Sequence, residues 1–95
     1  MSKYELAVVL SSKIEDDDRT AALEKIKGYI AASGGTVTNV DEWGRKKLAY
    51  EIQKMKEAYY TFITFESESD APAKIESQVR LMEPVIRFLI VKPEA

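Results

Sequence analysis

The sequence predicts an α+β sandwich ordered β-α-β-β-α-β, a four-stranded antiparallel sheet with both helices on one face. Three observations predict it. Stretches of alternating apolar and polar residues read as strands, two stretches with apolar residues at spacings of three and four read as helices, and the two kinds succeed one another in that order. Two right-handed crossovers in such a chain bring both helices to the same side and leave the first and third strands central. The length of 95 residues suits one domain, because two useful cores would each need more than half of this chain. Residues 1–92 are expected to form it, with 93–95 as a short flexible end.

Tyr4, Leu6, Val8 and Leu10 alternate with Lys3, Glu5, Ala7 and Val9, the pattern of a first strand. Leu23, Ile26 and Ile30 then form the stripe of an amphipathic helix. Glu15, Asp16, Asp17 and Asp18 stand at its start, where carboxylates meet the positive end of the helix dipole; a metal site is the sharper reading of the same cluster. Ser33, Gly34 and Gly35 end the helix. Phosphate-cradling glycine loops precede helices, and this pair follows one.

From Thr36 to about Ile52 the chain reads as extended, but the spacing of three from Val37 to Val40 to Trp43 breaks a two-residue period, which predicts a bulge near Asn39 or Gly44. Gln53 to Glu57 reads as a turn and Ala58 to Glu66 as the third strand. Ser67 to Asp70 supplies helix-cap candidates, Pro72 suits a first helical turn, and Ile75, Val79 and Met82 make the inward stripe of a second helix that Pro84 stops. Val85 to Val91 is the last strand.

A two-layer sandwich leaves one sheet face uncovered. With Leu6, Val8, Leu10, Tyr59, Ile63, Phe65, Phe88 and Ile90 assigned to the core, the opposite parity carries Ala7, Val9, Tyr60, Phe62, Thr64, Arg87, Leu89 and Val91. Val9, Tyr60, Phe62, Leu89 and Val91 then form an apolar patch of the kind that marks a binding surface, unless the chain termini shield part of it. On this parity Phe62→Ala should leave the thermal midpoint nearly unchanged.

Composition excludes most chemistry. With no cysteine and no histidine, disulfides, thiolate or imidazole metal ligands and the usual nucleophile–base pairs are absent from the chain. Lysines, tyrosines and carboxylates remain, and no pairing among them suggests an active site, so no enzyme, cofactor or metal is expected. The apolar run from Leu6 to Leu10 is too short for a signal-peptide core, and no stretch approaches a membrane span, so a cytoplasmic location away from membranes is the default. The net charge of −2 argues mildly against nucleic acid. Its distribution argues the other way: residues 45–56 hold Arg45, Lys46, Lys47, Lys54 and Lys56 against Glu51, a local +4 that leaves −6 elsewhere. Arg45, Lys46 and Lys47, flanked by Trp43 and Tyr50, match a basic segment with aromatic interleaving, although charges on a long hairpin are often simply solvated.

The string WGRKKLAYEI, Trp43 to Ile52, resembles the signature segment of the bacterial ribosomal small-subunit protein six family. The opening KYELAVVL, the aromatic third strand and the closing VIRFLIVKP are similar to that family as well, so the resemblance covers about ninety residues. It implies a ferredoxin-like domain that is monomeric when free, binds the central domain of small-subunit ribosomal RNA, and does so cooperatively with small-subunit ribosomal protein eighteen. A basic partner of that kind would account for the acidic pI of about 5.2. Some members carry a longer acidic tail, whereas this chain ends Pro93-Glu94-Ala95.

On this reading Arg45, Lys46 and Lys47 face RNA, with Lys3, Arg80, Arg87 and Lys92 as further RNA-binding candidates, and Tyr60, Phe62, Val9, Leu89 and Val91 face the partner protein. Two other classes stay open. A small-molecule-binding regulatory module or a dimeric α/β barrel protein shares the topology, since fold does not determine function, but needs polar groups or a ligand loop that the sequence lacks. An RNA-recognition-like domain would stack bases on Tyr60 and Phe62, without a matching basic motif.

Overall fold

Alternation along the first strand sets the architecture. In β1 (Ser2–Ser11), Tyr4, Leu6, Val8 and Leu10 are buried while Ala7 and Val9 are only partly covered, as a period of two requires. The computed structural model, which describes residues 2–52 and 55–93, continues with α1 (Asp16–Ala32), β2 (Thr36–Ile52), β3 (Met55–Ser67), α2 (Ala71–Val79) and β4 (Val85–Val91). The strand order is β2-β3-β1-β4 and every adjacent pair is antiparallel, so β1 and β3 are central. Each helix joins two parallel strands separated by one other strand, and crossovers of one hand return both helices to the same face.

That face holds the core. Leu6, Val8 and Leu10 of β1 and Ile63 and Phe65 of β3 pack with Ala22, Leu23, Ile26 and Ile30 of α1 and Ala71, Ile75 and Val79 of α2. Tyr4 stacks on Phe65 with ring centroids 5.6 Å apart. Val37, Val40, Tyr59, Phe88 and Ile90 close the margin as partly buried residues.

One bulge is expected, near Asn39 or Gly44, and β2 has one at each place. Its register against β3 shifts between Val37 and Asn39, and again between Glu42 and Gly44. The first extra residue, Thr38, lets Val37 and Val40 face the core three positions apart. The second is Trp43, followed by Gly44 at φ +77°, a backbone angle that glycine adopts without a Cβ clash.

The ends of two elements, β3 and α2, differ from expectation. β3 begins at Met55 rather than Ala58: Met55 is buried, and the Ser11 hydroxyl donates to its sulfur at 3.3 Å, so part of the expected turn is strand. Gln53 and Lys54, the rest of that turn, lie outside the described residues. α2 stops at Val79, because the amides of Leu81 and Met82 bond three residues back, to Gln78 and Val79, and tighten the chain out of the helix. Met82 nonetheless packs on the core. Neither helix has a side-chain N-cap; Asp70 pairs with Lys74 at 3.3 Å instead, and Asp16 with Arg19 at 3.2 Å. α1 does close as expected, through Ser33 and Gly34, the latter at φ +89°.

Two substitutions test this packing by chemical denaturation. Phe65→Ala, at a fully buried ring, should cost about 3–5 kcal/mol. Gly28→Ala, at an exposed mid-helix position where an added Cβ meets nothing within 4 Å, should add about 0.5–1 kcal/mol. A neutral Phe65→Ala would show that the helices do not pack on this face.

Candidate nucleic-acid and partner interface

The strand registers align the open-face residues into rows. One row runs Asp41, Phe62, Ala7, Leu89. The next, toward the β2–β3 hairpin tip, runs Gly44, Tyr60, Val9, Arg87, and the row on the other side runs Asn39, Thr64, Glu5, Val91. At about 4.8 Å between strands, each row is about 14 Å long. Val9, Tyr60, Phe62, Leu89 and Val91 therefore fall within three consecutive rows, as parity predicts. Leu89 is 61% exposed and Val91 40%, so the described chain ends do not shield them.

Trp43 joins this surface, which the sequence reading did not foresee. As the extra residue of its bulge it turns its ring onto Phe62, with centroids 4.7 Å apart and planes tilted by 56°, and its indole N–H donates to Asp41 Oδ2 at 2.9 Å. Trp43 remains 53% exposed. The one available signal was the spacing of three from Val40, which marks a bulge but not the residue that carries it.

The seven basic candidates divide between the two ends of the sheet. β1 ends against β3 at Ser11, opposite Ala58, and beyond that point β3 pairs only with β2. Arg45, Lys46 and Lys47 lie at this hairpin end, all exposed. Arg80 and Arg87 share the same end, because Leu10 pairs with Val85 and the Ser11 amide donates to the Pro84 carbonyl at 2.8 Å. They line one shallow depression along the β4 edge with Val85, Ile86 and Phe88. Lys3 and Lys92 stand at the opposite end, Lys3 beside Glu66 and Lys92 just past Val91.

Within the hairpin group, strand alternation separates the charges. Arg45 lies opposite Tyr59 and Lys47 opposite Glu57 on the helix side, whereas Lys46 lies opposite Ala58 on the open side. Arg45 donates to the Tyr59 hydroxyl at 3.3 Å and approaches Glu57 at 3.7 Å, and its hydrogen bond to Tyr59 raises its pKa above the ordinary arginine value. Arg80 is paired with Glu76 at 2.9 Å. Arg87 sits 5.6 Å from the centre of the Tyr50 ring, a contact that brings the far part of β2 to the β4 side of the molecule. Among the described residues, no group of three acidic side chains is placed to hold a metal ion, and no helix is long and apolar enough to cross a membrane.

Comparison with known proteins decides the family. The family model described as ribosomal protein S6 matches residues 3–92. The chain is 45% identical over 94 residues to the small ribosomal subunit protein bS6 of Clostridium novyi and 43% identical to that of Alkaliphilus oremlandii, covering 99% of each chain in both cases. The chain belongs to the ribosomal protein S6 family. Its fold is similar to that of the 30S ribosomal protein S6 of Thermotoga maritima, at a TM-score of 0.92 and 26% identity over 97% of this chain and 87% of that one. It is thus a ferredoxin-like structural component of the small ribosomal subunit in the cytoplasm, not an enzyme, and RNA binding follows from that role.

The contact between Trp43 and Phe62 modifies the expected behaviour of Phe62→Ala, which should now cost a modest amount rather than almost nothing. A double-mutant cycle of Trp43→Ala and Phe62→Ala, read by denaturation, should give a coupling of about 0.5–1.5 kcal/mol. Zero coupling would show that the rings do not meet in solution.

Proposed function

We propose that this protein, monomeric when free, binds the central domain of small-subunit ribosomal RNA cooperatively with small-subunit ribosomal protein eighteen. In this reading the hairpin end meets phosphates and the open sheet face takes the partner. The observation that carries it is the adjacency of two chemically distinct surfaces: rows bearing Phe62, Tyr60, Val9 and Leu89 lie next to an end bearing Arg45, Lys46, Lys47, Arg80 and Arg87. Phosphate neutralisation needs cations, and the basic end supplies them locally in a chain whose net charge is −2. A basic partner seated beside it would supply the rest, while the apolar rows give that partner a surface whose burial is favourable without any charge match.

The positions of Lys3 and Lys92 rank them below the hairpin group, since RNA lying across the hairpin end would not reach the other end of the sheet without a second contact. Stacking of bases on Phe62 is disfavoured because Trp43 already lies against that ring.

A filter-binding titration on the central-domain RNA, over a range of salt and with and without the partner, tests both surfaces. Replacing Arg45, Lys46 and Lys47 by alanine should flatten the salt dependence, each phosphate contact contributing roughly 0.9 to the log-log slope for a duplex. The Lys3 and Lys92 alanine pair should change it less. Phe62→Ala should weaken binding only when the partner is present, a large aromatic anchor often being worth more than about 2 kcal/mol. An unchanged slope in the folded triple variant removes the hairpin from the RNA interface, and a Phe62→Ala loss on RNA alone assigns that ring to base stacking.

A further inference from the structure

Arg19 stands in the first turn of α1, in the most acidic stretch of the chain, yet its guanidinium leaves the helix surface and lies over β3. Its Cζ is 4.1 Å from the centre of the Tyr59 ring, closer than any other cation–ring contact among the described residues. Its side chain is only 24% exposed, and Nη1 is 3.2 Å from Asp16 Oδ1. The other side of the arrangement is Arg45, whose Cζ is 5.5 Å from the same ring and whose Nη2 donates to the Tyr59 hydroxyl at 3.3 Å. One tyrosine thus joins a covered arginine on the helix layer to an exposed arginine on the hairpin.

We propose that Arg19 is a positioning residue for RNA binding, holding the Tyr59 ring so that its hydroxyl fixes the Arg45 guanidinium before RNA arrives. The proposal rests on the reading of the hairpin end as the RNA-facing surface. Arg45 belongs to edge strand β2, near where β1 ends, and a long side chain there has few neighbours to order it. Lys46 and Lys47 have no ion-pair partner among the described residues, whereas Arg45 has Tyr59 on one side and Glu57 on the other. Ordering a rotamer-rich side chain in advance removes part of the entropy loss on binding, and a planar guanidinium fork benefits from being aimed more than an ammonium does. Arg19 itself is mostly covered and already paired, so it acts through the ring and not on the phosphate.

The test is a binding titration on the central-domain RNA with Arg19→Ala, Tyr59→Phe, Arg45→Ala and the two double variants that add Arg45→Ala to each of the others. Tyr59→Phe keeps the ring and its packing and deletes only the hydroxyl, so it reports on the hydrogen bond without a cavity. Arg19→Ala and Tyr59→Phe should each weaken binding about two- to five-fold, the range of one weak cation–ring contact or one hydrogen bond, while leaving the salt slope unchanged. Arg45→Ala should lower the slope by roughly 0.9 for a duplex contact. In the Arg45→Ala background neither of the other substitutions should cause further loss. A lowered slope in Arg19→Ala, a loss that adds in full to that of Arg45→Ala, or no loss at all overturns the positioning role while leaving the RNA-facing hairpin intact. An Arg45→Ala variant that binds like the parent overturns both.

Discussion

Both crossovers return to one side of the sheet, and burial on that side consumes the apolar residues of a single parity. Leu6, Val8, Leu10, Ile63 and Phe65 go under the helices. The other parity must then remain at the surface, and in the central strands it carries Val9, Tyr60 and Phe62. No third layer covers them among the described residues. A small domain that leaves such a row uncovered gives up burial it could have used, and the exposed area is stabilised only when another molecule arrives. Family membership in the small ribosomal subunit is consistent with that constraint, since such a protein works only in an assembly.

The edge strand β2 adapts this plan. Each bulge inserts one residue, so the inward set changes from odd to even numbering at Thr38 and back at Trp43. The second change places an indole at the rim of the uncovered face, and then returns Arg45 to the helix side, where it meets Tyr59, the ring that Arg19 covers. Further along, a third irregularity lies between Lys47 and Ile52, and within it Tyr50 contacts Arg87 on the opposite edge strand. The basic string of the sequence is therefore not one continuous patch. Its members are divided over two faces by the strand that carries them.

Much of this was legible beforehand because it depends on period alone. The alternation in KYELAVVL gave the faces of β1, the stripe Leu23, Ile26, Ile30 gave the buried side of α1, and β4 runs from Val85 to Val91 as read. Periodicity does not determine which residue of a bulge is the extra one, and so Trp43 was absent from the expected partner surface. Lys54 and Lys56 obscured the start of β3, since charges flanking Met55 in the sequence resemble a turn, although Met55 itself is buried strand. The contacts of Arg19 with Tyr59 and of Arg87 with Tyr50 join residues far apart in the chain. No local pattern announces such pairs, because only the folded register brings them together.

Trp43 is the sole tryptophan of the chain, and it stands at the rim of the uncovered face. Replacing it with 5-fluorotryptophan gives a single fluorine resonance that reports on that face directly. Central-domain RNA added alone should move the resonance little. Adding small-subunit ribosomal protein eighteen to that mixture should shift and broaden it and remove its sensitivity to a water-soluble paramagnetic agent. A resonance that stays equally accessible in the ternary complex would contradict the central claim that the open sheet face is where the partner protein docks.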